Sequence, residues 1–290
     1  MSAIVIDGKA LAAKMRGEAA ARAARLREAG KAAPCLAVVL AGSDPASLSY
    51  VAAKEKALAG AGMESRDFRL PAGVSQAELL DLIAALNADS GVHGILVQLP
   101  LPAGIDEGRI VEAISPAKDV DGFHPVSAGN MLLGRRGFLP CTPNGIMALL
   151  RAAGIQIAGA HAVVVGRSNI VGKPMACLLA ARGADATVTV CHTGTKNLAR
   201  HALDADILIA AAGRPGLVGA GMIKPGAAVI DVGVNRVSDP SRASGYRLCG
   251  DVDFGGASER AGWITPVPGG VGPMTIAMLL GNVAQAAEDA

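Results

Sequence analysis

Residues 163–174 read Val-Val-Val-Gly-Arg-Ser-Asn-Ile-Val-Gly-Lys-Pro, and this stretch decides the fold of the chain. The β-branched run at 163–165 predicts a strand that stops at Gly166, and Gly172 precedes a proline and an apolar helical pattern. A strand that turns on glycine into a helix leaves the first N–H groups of that helix unpaired, and such groups bind phosphate. The stretch therefore predicts a phosphate-binding turn, with an ordinary strand-to-helix turn as the alternative.

Arg167 and Ser168 make this turn different from the common dinucleotide-binding pattern. That pattern is G-x-G-x-x-G, and here Ser168 stands where the second glycine would be. Arg167 follows the strand directly, where a guanidinium can hold a phosphate through two parallel hydrogen bonds. We interpret Arg167 as a phosphate ligand, and a solvated surface arginine is the alternative.

The composition describes a globular protein with an ample core. The 290 residues are enough for one large domain or two ordinary ones, and 51% are hydrophobic without an apolar run long enough to span a bilayer. The formal net charge is only +2 and aromatic residues make up 2%, which argues against a nucleic-acid surface. We expect neither nucleic acid nor a membrane among the partners.

Cysteine and histidine usage suits a reducing compartment. The five cysteines are scattered and form no C-x-x-C, and the five histidines show no spacing typical of metal ligands. The first residues lack the basic stretch and apolar run of a secretory signal. We predict cytoplasmic localisation, buried thiols and no metal site.

Strand and helix patterns alternate along the chain, which predicts an α/β fold with parallel sheets and two domains. The first domain covers residues 1–142 together with a C-terminal helix at 273–290 that packs back on it, and the second covers 143–272. For the first domain we predict helices at 8–29, 45–60 and 76–89 and strands at 35–40, 64–70 and 94–97. A loop-rich bridge follows, with loops at 99–102, 118–125 and 139–143. The second reads as a Rossmann-like unit, with strands beginning at 161 and at 187–191, 207–211 and 229–232.

The second strand of the Rossmann-like unit indicates which dinucleotide it takes. NAD-binding units end that strand with an acid that bonds the ribose 2′-hydroxyl, whereas here it ends Val190-Cys191-His192-Thr193. A carboxylate would repel a 2′-phosphate, while Thr193 can donate a hydrogen bond to it and Arg167 can neutralise it. We therefore predict NADP as the cofactor, and Asp231 at the end of a later strand can be structural.

In the first domain, one helix carries a candidate reaction site. Asp44 is a plausible N-cap and Pro45 a first-turn proline. Ser47, Tyr50 and Lys54 then lie three and four residues apart, so they share one helical face. A phenol and an amine on one face can bind a substrate and exchange protons with it, and a solvated polar stripe is the alternative.

Two further segments add polar groups to this candidate site. Gln98 ends the apolar strand at 94–97, and ligands of open α/β sheets gather beyond the carboxyl ends of strands. The loop at 118–125 places Asp119 and Asp121 in a proline-ended turn. For one of these two aspartates we expect an Asx-turn role instead of a functional one.

Five motifs, spread over nearly the whole chain, occur in the order found in one known family. They are SLSYVAAK at 47–54, VQLPLP at 97–102, KDVDG at 118–122, GRS with VGKP at 166–174, and PVPGGVGPMT at 266–275. The chain resembles the bifunctional methylenetetrahydrofolate dehydrogenase/methenyltetrahydrofolate cyclohydrolase family. The resemblance implies oxidation of 5,10-methylenetetrahydrofolate to 5,10-methenyltetrahydrofolate with NADP, then hydrolysis to 10-formyltetrahydrofolate, in a homodimer.

The resemblance also implies roles for individual residues. Lys54 is the catalytic amine, with Gln98, Tyr50 and Asp121 as its catalytic partners; Gln98 bonds to Lys54, and Asp121 grips the amide and amino edge of the pterin. The implied substrate-binding residues are Ser47, Tyr50, Gln98, Leu99, Pro100, Asp121, Pro268, Gly269 and Gly270. The implied cofactor-binding residues are Gly166, Arg167, Ser168, Thr193, Val232, Gly272 and Thr275.

Two other functions remain open at this point. One is a dehydrogenase without the cyclohydrolase step, against which Lys54, Tyr50 and Gln98 weigh. The other is a nucleotide-sensing protein without chemistry, which leaves the motifs of the first domain unexplained. One departure is that Thr193 stands where many members of the family have serine, although threonine keeps the hydroxyl.

Overall fold

The chain forms two compact units in a computed structural model that describes residues 2–242 and 245–290. The first unit comprises Ala13–Pro140 and Ile276–Ala290, and the second comprises Cys141–Thr275 with the N-terminal segment that ends at Ala12. The α/β architecture is as predicted. The N-terminal segment, however, belongs to the second unit and not to the first domain as expected.

A short N-terminal strand explains this difference. β1 (Ile4–Val5) pairs in parallel with β11 (Trp263–Ile264) at one edge of the sheet of the second unit. Both side chains of β1 are exposed, so no alternation of buried and exposed residues marks the strand in the sequence. The N-terminal segment therefore belongs to the second unit because β1 pairs with β11, a strand that is distant in sequence.

The first unit contains a parallel sheet with helices between its strands. The elements in chain order are α1 (Gly8–Glu28), β2 (Cys35–Ala41), α2 (Pro45–Gly60), β3 (Glu64–Leu70), α3 (Gln76–Ala88) and β4 (Gly94–Val97). The first residues of α1, up to Ala12, belong to the second unit. The strand order is β3-β2-β4, with Val38 opposite Leu96. Every side chain of β2 is buried, as in a central strand covered on both faces. These helices and strands confirm the predicted ones to within a residue at either end.

Two short helices lie within the region that the sequence predicts as a loop-rich bridge. They are α4 (Glu107–Ala113) and α5 (Pro125–Leu132), and a longer helix, α6 (Cys141–Ala152), begins where the bridge ends and lies in the second unit. An Asp106 oxygen accepts from the Gly108 N–H at 2.9 Å and caps α4, and His124 Nδ1 caps α5 by accepting from the Val126 N–H at 3.0 Å. The prediction of a loop was wrong here because short helices show too few turns for a helical period to emerge.

The second unit contains a six-stranded parallel sheet. Its other strands are β5 (His161–Val165), β6 (Thr187–Cys191), β7 (Ile207–Ala210) and β8 (Ala228–Asp231), and α7 (Gly172–Ala180) and α8 (Leu198–Leu203) connect them. The order is β1-β11-β8-β7-β5-β6, so the chain passes from β5 to β6 on one side and later to β7 on the other. Ligands of such folds bind where the strand order reverses, which is here beyond the end of β5. The predicted Rossmann-like unit is confirmed.

A separate hairpin in the second unit has no counterpart in the predicted elements. β9 (Asn235–Ser238) pairs antiparallel with β10 (Tyr246–Cys249), and α9 (Phe254–Ser258) follows. The Arg236 guanidinium lies 4.8 Å from the centre of the Tyr246 ring, which adds a cation–π contact between the strands. Four-residue strands with mixed side chains are too short to be recognised by alternation alone.

The final helix, α10 (Val271–Asp289), ends in the first unit. Asn282 Nδ2 donates to the carbonyl oxygens of Val120 at 2.8 Å and Leu139 at 3.1 Å, and the Arg22 guanidinium pairs with Glu288 at 2.6 Å. The prediction that the last helix packs on the first domain is confirmed. Within the described residues, no helix is both long and apolar enough to cross a membrane.

Candidate active site

The start of α2 sets the position of the candidate catalytic side chains. An Asp44 carboxylate oxygen accepts from the Ser47 N–H at 2.8 Å, and Pro45 occupies the first helical turn. This is the N-cap that the sequence predicts, and it satisfies a backbone donor that the helix itself leaves unpaired. Because the cap fixes where the helix begins, it also fixes which face carries Tyr50 and Lys54.

Lys54 is held at the carboxyl end of β4. Its Nζ donates to Gln98 Oε1 at 3.0 Å, and Gln98 Nε2 donates to the Leu99 carbonyl oxygen at 2.7 Å. Only 9% of Lys54 is exposed, although the ammonium is not part of an ion pair in the described part of the chain. A lysine in a solvated stripe would be largely exposed, so the structure excludes that alternative for Lys54.

The neighbours of Lys54 differ in exposure. Ser47 is buried, whereas 44% of Tyr50 remains exposed, so the phenol ring offers a surface to a ligand. Leu99 and Pro100 follow Gln98, and the peptide bond between Leu99 and Pro100 is cis. The structure therefore gathers amide, amine and phenol groups from α2 and from the end of β4, as the residue pattern suggests.

Asp119 has the structural role expected for one of the two loop aspartates. It is 2% exposed, and its carboxylate accepts from the N–H groups of Phe123 at 3.1 Å and His124 at 2.9 Å. Burial raises the pKa of Asp119, and hydrogen bonds from Ser127, His124 and Phe123 oppose the rise. Lys118 ties the same loop to the end of α3 by donating to three carbonyl oxygens there, at 2.7 to 2.9 Å.

Asp121 differs from Asp119 in its hydrogen bonding. Among the described residues, no hydrogen bond to its carboxylate is found. Burial raises the pKa of Asp121, the positive charge of Lys54 opposes that rise, and the charge of Asp119 adds to it. The Asp121 carboxylate therefore lies within the electrostatic influence of the Lys54 ammonium. Both Asp121 oxygens are able to accept hydrogen bonds from a bound molecule.

The turn between β5 and α7 can be formed only with glycine at two positions. Gly166 has φ of +140°, and a Cβ there would overlap the carbonyl oxygen of Ala211. A Cβ on Gly172 would overlap the carbonyl oxygen of Gly166. The two glycines thus let three backbone segments meet at the carboxyl end of the sheet.

One detail of this turn differs from the expectation. Ser168 Oγ accepts from the N–H groups of Val171 at 3.1 Å and Gly172 at 3.3 Å, so the first N–H groups of α7 are not left unpaired. A serine in place of the second glycine supplies this cap. The N–H groups that find no partner among the described residues are those of 167–170, so a phosphate can still be held by the loop itself.

A cavity of about 420 Å³ opens beside this turn. It brings together Gly166, Arg167, Ser168 and Thr193, four of the seven predicted cofactor-binding residues. It also contains His192 and Arg214, which the sequence reasoning did not select. Arg214 follows the end of β7, so the rule that ligands bind beyond the carboxyl ends of strands could have found it. Two guanidinium groups beside one cavity suit a ligand with several phosphates.

Family models match both parts of the chain. The model of the tetrahydrofolate dehydrogenase/cyclohydrolase catalytic domain matches residues 6–121, and that of the NAD(P)-binding domain of the same proteins matches residues 140–290. The chain belongs to the tetrahydrofolate dehydrogenase/cyclohydrolase family. The resemblance stated from the five motifs is confirmed.

Individual relatives of this family are similar over their full lengths. The bifunctional protein FolD of Azoarcus sp. (strain BH72) is 58% identical, covering 99% of this chain and 97% of that protein. The crystal structure of the FolD methylenetetrahydrofolate dehydrogenase/cyclohydrolase of Campylobacter jejuni has 49% identity and a TM-score of 0.94, covering 99% of both chains. The Trypanosoma brucei enzyme, solved with NADP cofactor and inhibitor, has 43% identity and a TM-score of 0.95, covering 100% of this chain and 98% of that one.

The other three cofactor-binding residues that the resemblance implies lie elsewhere in the second unit. Val232 follows β8 and donates its N–H to the Ala210 carbonyl oxygen at 2.8 Å, and Thr275 shares a 2.8 Å hydrogen bond between hydroxyls with Thr142. Gly272 lies in the first turn of α10 with open space beside it. None of these three lines the cavity at the turn.

The glycine-rich loop before α10 is tightly packed. The Gly270 N–H donates to the Pro266 carbonyl oxygen at 2.8 Å, and a Cβ on Gly270 would lie 2.7 Å from that oxygen. Gly269 has φ of +115°, and Pro268 follows a cis peptide bond. Glycine is required here by backbone geometry, and the substrate-binding role of Pro268, Gly269 and Gly270 stays a prediction.

Asp231 has a structural role, because its carboxylate binds backbone N–H groups of neighbouring segments. It is buried at the end of β8, and its carboxylate accepts from the N–H groups of Gly233 at 3.0 Å, Asp251 at 2.9 Å and Val252 at 3.0 Å. Burial is the main cause that raises the pKa of Asp231 to about 6. The three N–H donors act in the opposite direction, and the charge of Asp251 adds to the rise.

The raised pKa of Asp231 predicts how stability depends on pH. Because the folded protein holds this proton more tightly than the unfolded chain, the contribution of Asp231 to stability is complete below about pH 4 and is lost as the pH rises through about 6. We expect the free energy of unfolding of wild type, minus that of Asp231→Asn, to fall across this window and then to stay level. Denaturant titrations of both proteins at several pH values measure this difference, and a constant value across the window would contradict the assignment.

Proposed function

We infer that this chain is a bifunctional enzyme of one-carbon metabolism. It oxidises methylenetetrahydrofolate to methenyltetrahydrofolate with NADP, and it then hydrolyses the methenyl compound to formyltetrahydrofolate. The observation that carries this conclusion is the pairing of Lys54 with Gln98 at the end of β4, beside Asp121. A dehydrogenase without the cyclohydrolase step, or a nucleotide sensor of the same fold, would not need a buried amine beside an amide and a carboxylate. The relatives named FolD support both activities.

Lys54 is proposed to serve the hydrolytic step. The methenyl group is a cation and already electrophilic, so water needs only to be positioned and to lose a proton as it attacks. In its neutral form the Lys54 amine can take that proton and later release it, and Gln98 Oε1, which accepts a hydrogen bond from Nζ, keeps the nitrogen at one place during the exchange. In the overall hydrolysis, the methenyl cation and one water molecule give formyltetrahydrofolate and one proton.

Asp121 is proposed to orient the folate. Its carboxylate has two acceptor oxygens, which match the two parallel N–H groups on the amide and amino edge of a pterin. Tyr50, almost half exposed on the same side of α2 as Lys54, offers a ring for the flat part of the substrate. Ser47, Leu99 and Pro100 are proposed as further contacts because they adjoin these groups in the chain.

The second unit is proposed to hold NADP at the turn after β5. When bound, NADP accepts the hydride that the methylene carbon loses. Arg167, Arg214 and Thr193 line the cavity and are proposed to hold the phosphates, together with the free N–H groups of 167–170. A cavity of about 420 Å³ with two guanidinium groups fits part of a dinucleotide.

Several broader assignments belong to the same proposal. We assign the folate chemistry to the first domain, residues 1–142 with 273–290, and NADP binding to the second domain, residues 143–272. The N-terminal segment up to Ala12 is an exception, because it belongs to the second compact unit. We propose a homodimer that works in the cytoplasm, a compartment that suits five scattered cysteines without a C-x-x-C motif.

A spectrophotometric assay tests the proposed function. Purified protein supplied with methylenetetrahydrofolate is expected to reduce NADP at a rate well above that with the same concentration of NAD. With methenyltetrahydrofolate alone, it is expected to speed the loss of the methenyl absorbance relative to buffer. NADP binding without either absorbance change would favour the nucleotide-sensing alternative, and oxidation without hydrolysis would favour a dehydrogenase that lacks the second activity.

A further inference from the structure

Asp251 is a fully buried carboxylate that the proposed mechanism does not use. None of its surface is exposed, and all the hydrogen bonds found to it come from N–H groups of the described residues. One oxygen accepts from the N–H groups of Ala212 at 2.6 Å and Gly213 at 2.8 Å, and the other accepts from Asn235 Nδ2 at 2.9 Å. A buried charge without a cation persists only where several such donors surround it.

The two N–H groups on one Asp251 oxygen belong to the wall of the cofactor cavity. Ala211, Ala212 and Arg214 all line the cavity, and they form the segment directly after β7. Gly213 lies within this segment with φ of +64°, so the chain bends there into a conformation that other residues rarely adopt. Asp251 therefore accepts two hydrogen bonds from the backbone segment that ends at Arg214.

The same segment also touches the phosphate-binding turn. The Ala211 carbonyl oxygen lies so close to Gly166 that a Cβ on that glycine would overlap it. Movement of the Ala211–Arg214 segment would therefore change the packing against Gly166 as well as the position of the Arg214 guanidinium.

Asp231 holds Asp251 in place from the other side. Its carboxylate accepts the backbone N–H of Asp251 and that of Val252. Glycines make this approach possible, since a Cβ on Gly250 would overlap the Asp231 carboxylate and one on Gly233 would overlap Asp251. The two carboxylates thus form a chain of contacts that runs from the end of β8 to the end of β7.

We propose that Asp251 is a positioning residue for NADP: its carboxylate holds the Ala211–Arg214 segment in the shape that the dinucleotide requires. The proposal rests on the proposed NADP site at the turn after β5. It assigns Asp251 no contact with the folate and no part in the hydrolytic step. Loss of the carboxylate is accordingly expected to weaken NADP binding and to leave methenyl hydrolysis intact.

The test compares Asp251→Asn with the control Asp253→Asn. Asparagine keeps the size of the side chain but is neutral, so the hydrogen bonds from the Ala212 and Gly213 N–H groups lose the negative charge that strengthens them. The Asp253 carboxylate is exposed two residues further on and makes no bond to the Ala211–Arg214 segment among the described residues. Both variants lose one negative charge from the same stretch of chain.

Calorimetric titration with NADP is the main measurement. For Asp251→Asn we expect the dissociation constant to rise about tenfold or more, which is the effect of losing one hydrogen bond to a charged group. For Asp253→Asn it is expected to stay within about twofold of wild type. In steady-state assays the KM for NADP should rise while kcat falls much less, and methenyl hydrolysis without NADP should stay at the wild-type rate.

The outcomes separate this proposal from the proposed function. If wild type itself does not bind NADP, the proposed site is wrong. If wild type binds NADP and Asp251→Asn binds it equally well, Asp251 has no positioning role. Should Asp251→Asn fail to fold, Gly213→Ala strains the same bend without removing a buried charge, and normal NADP binding by that variant would overturn the proposal.

Discussion

Lys54→Met is expected to lower the rate of methenyl hydrolysis by about 10²- to 10⁴-fold, the range by which a positioned acid or base accelerates a reaction. Methionine has a similar length but cannot exchange a proton, and it leaves Gln98 Oε1 without the donor that lies 3.0 Å away. NADP affinity should remain near that of wild type, because Lys54 belongs to the first unit and the cofactor cavity to the second. Stopped-flow or steady-state hydrolysis of methenyltetrahydrofolate, with calorimetry for NADP, measures both quantities.

Lys56→Met is the matched control for this substitution. Lys56 lies two residues further along α2, and its side chain is exposed, so the same change of residue type there should leave hydrolysis within about twofold of wild type. Full hydrolytic activity in Lys54→Met would remove Lys54 from the mechanism. An equal loss in both variants would show that the helix, and not the Lys54 amine, is what the reaction needs.

Arg167→Ala is expected to weaken NADP binding about 10- to 100-fold, the effect of losing hydrogen bonds between charged groups. The affinity for NAD should change little, because NAD lacks the 2′-phosphate that the guanidinium is proposed to hold. The preference for NADP over NAD should therefore fall by nearly the same factor. Calorimetric titration with each dinucleotide measures the ratio directly.

Two other arginines make this experiment specific. Arg200 is an exposed arginine on α8 that does not line the cavity, and Arg200→Ala should keep the preference for NADP. Arg214 does line the cavity, so Arg214→Ala shows how the phosphates are shared between the two guanidinium groups. Equal losses of NADP and NAD affinity in Arg167→Ala would contradict its role in reading the 2′-phosphate.

The sequence is most informative where a long pattern and a local signal agree. α2 begins at Pro45 because Asp44 caps it, and these two residues predict the start of the helix from the sequence alone. The buried strands β2 and β4 are continuous apolar runs, which is the pattern of parallel strands covered on both faces. Their ends place Gln98 near Lys54, so this part of the candidate site could be predicted without coordinates.

The sequence is least informative where contacts between distant segments decide the outcome. β1 exists only through its pairing with β11, and α4 and α5 are short helices whose caps, Asp106 and His124, are single residues. The role of Ser168 was missed for a related reason. Its hydroxyl accepts from the N–H groups of Val171 and Gly172, which depends on the shape of the turn and not on a residue pattern.

Asp251 shows the same limit within the cofactor site. A carboxylate between a glycine and a valine reads as an ordinary loop residue, and its importance appears only when the ends of β7 and β8 are seen to converge on it. Burial of this kind depends on the tertiary fold, so local propensity does not reveal it. In contrast, Asp121 was found through its motif, and the structure adds only that its carboxylate is desolvated near the charge of Lys54.

An isotope experiment tests most directly the claim that one chain carries both steps. Methylenetetrahydrofolate deuterated at the methylene carbon is incubated with NADP and the purified protein in water enriched in oxygen-18. We expect deuterium in the reduced cofactor and oxygen-18 in the formyl group, both formed from the start of the reaction and faster than in buffer. Deuterium transfer with a methenyl compound that then hydrolyses no faster than in buffer would contradict this account, and so would the absence of deuterium transfer.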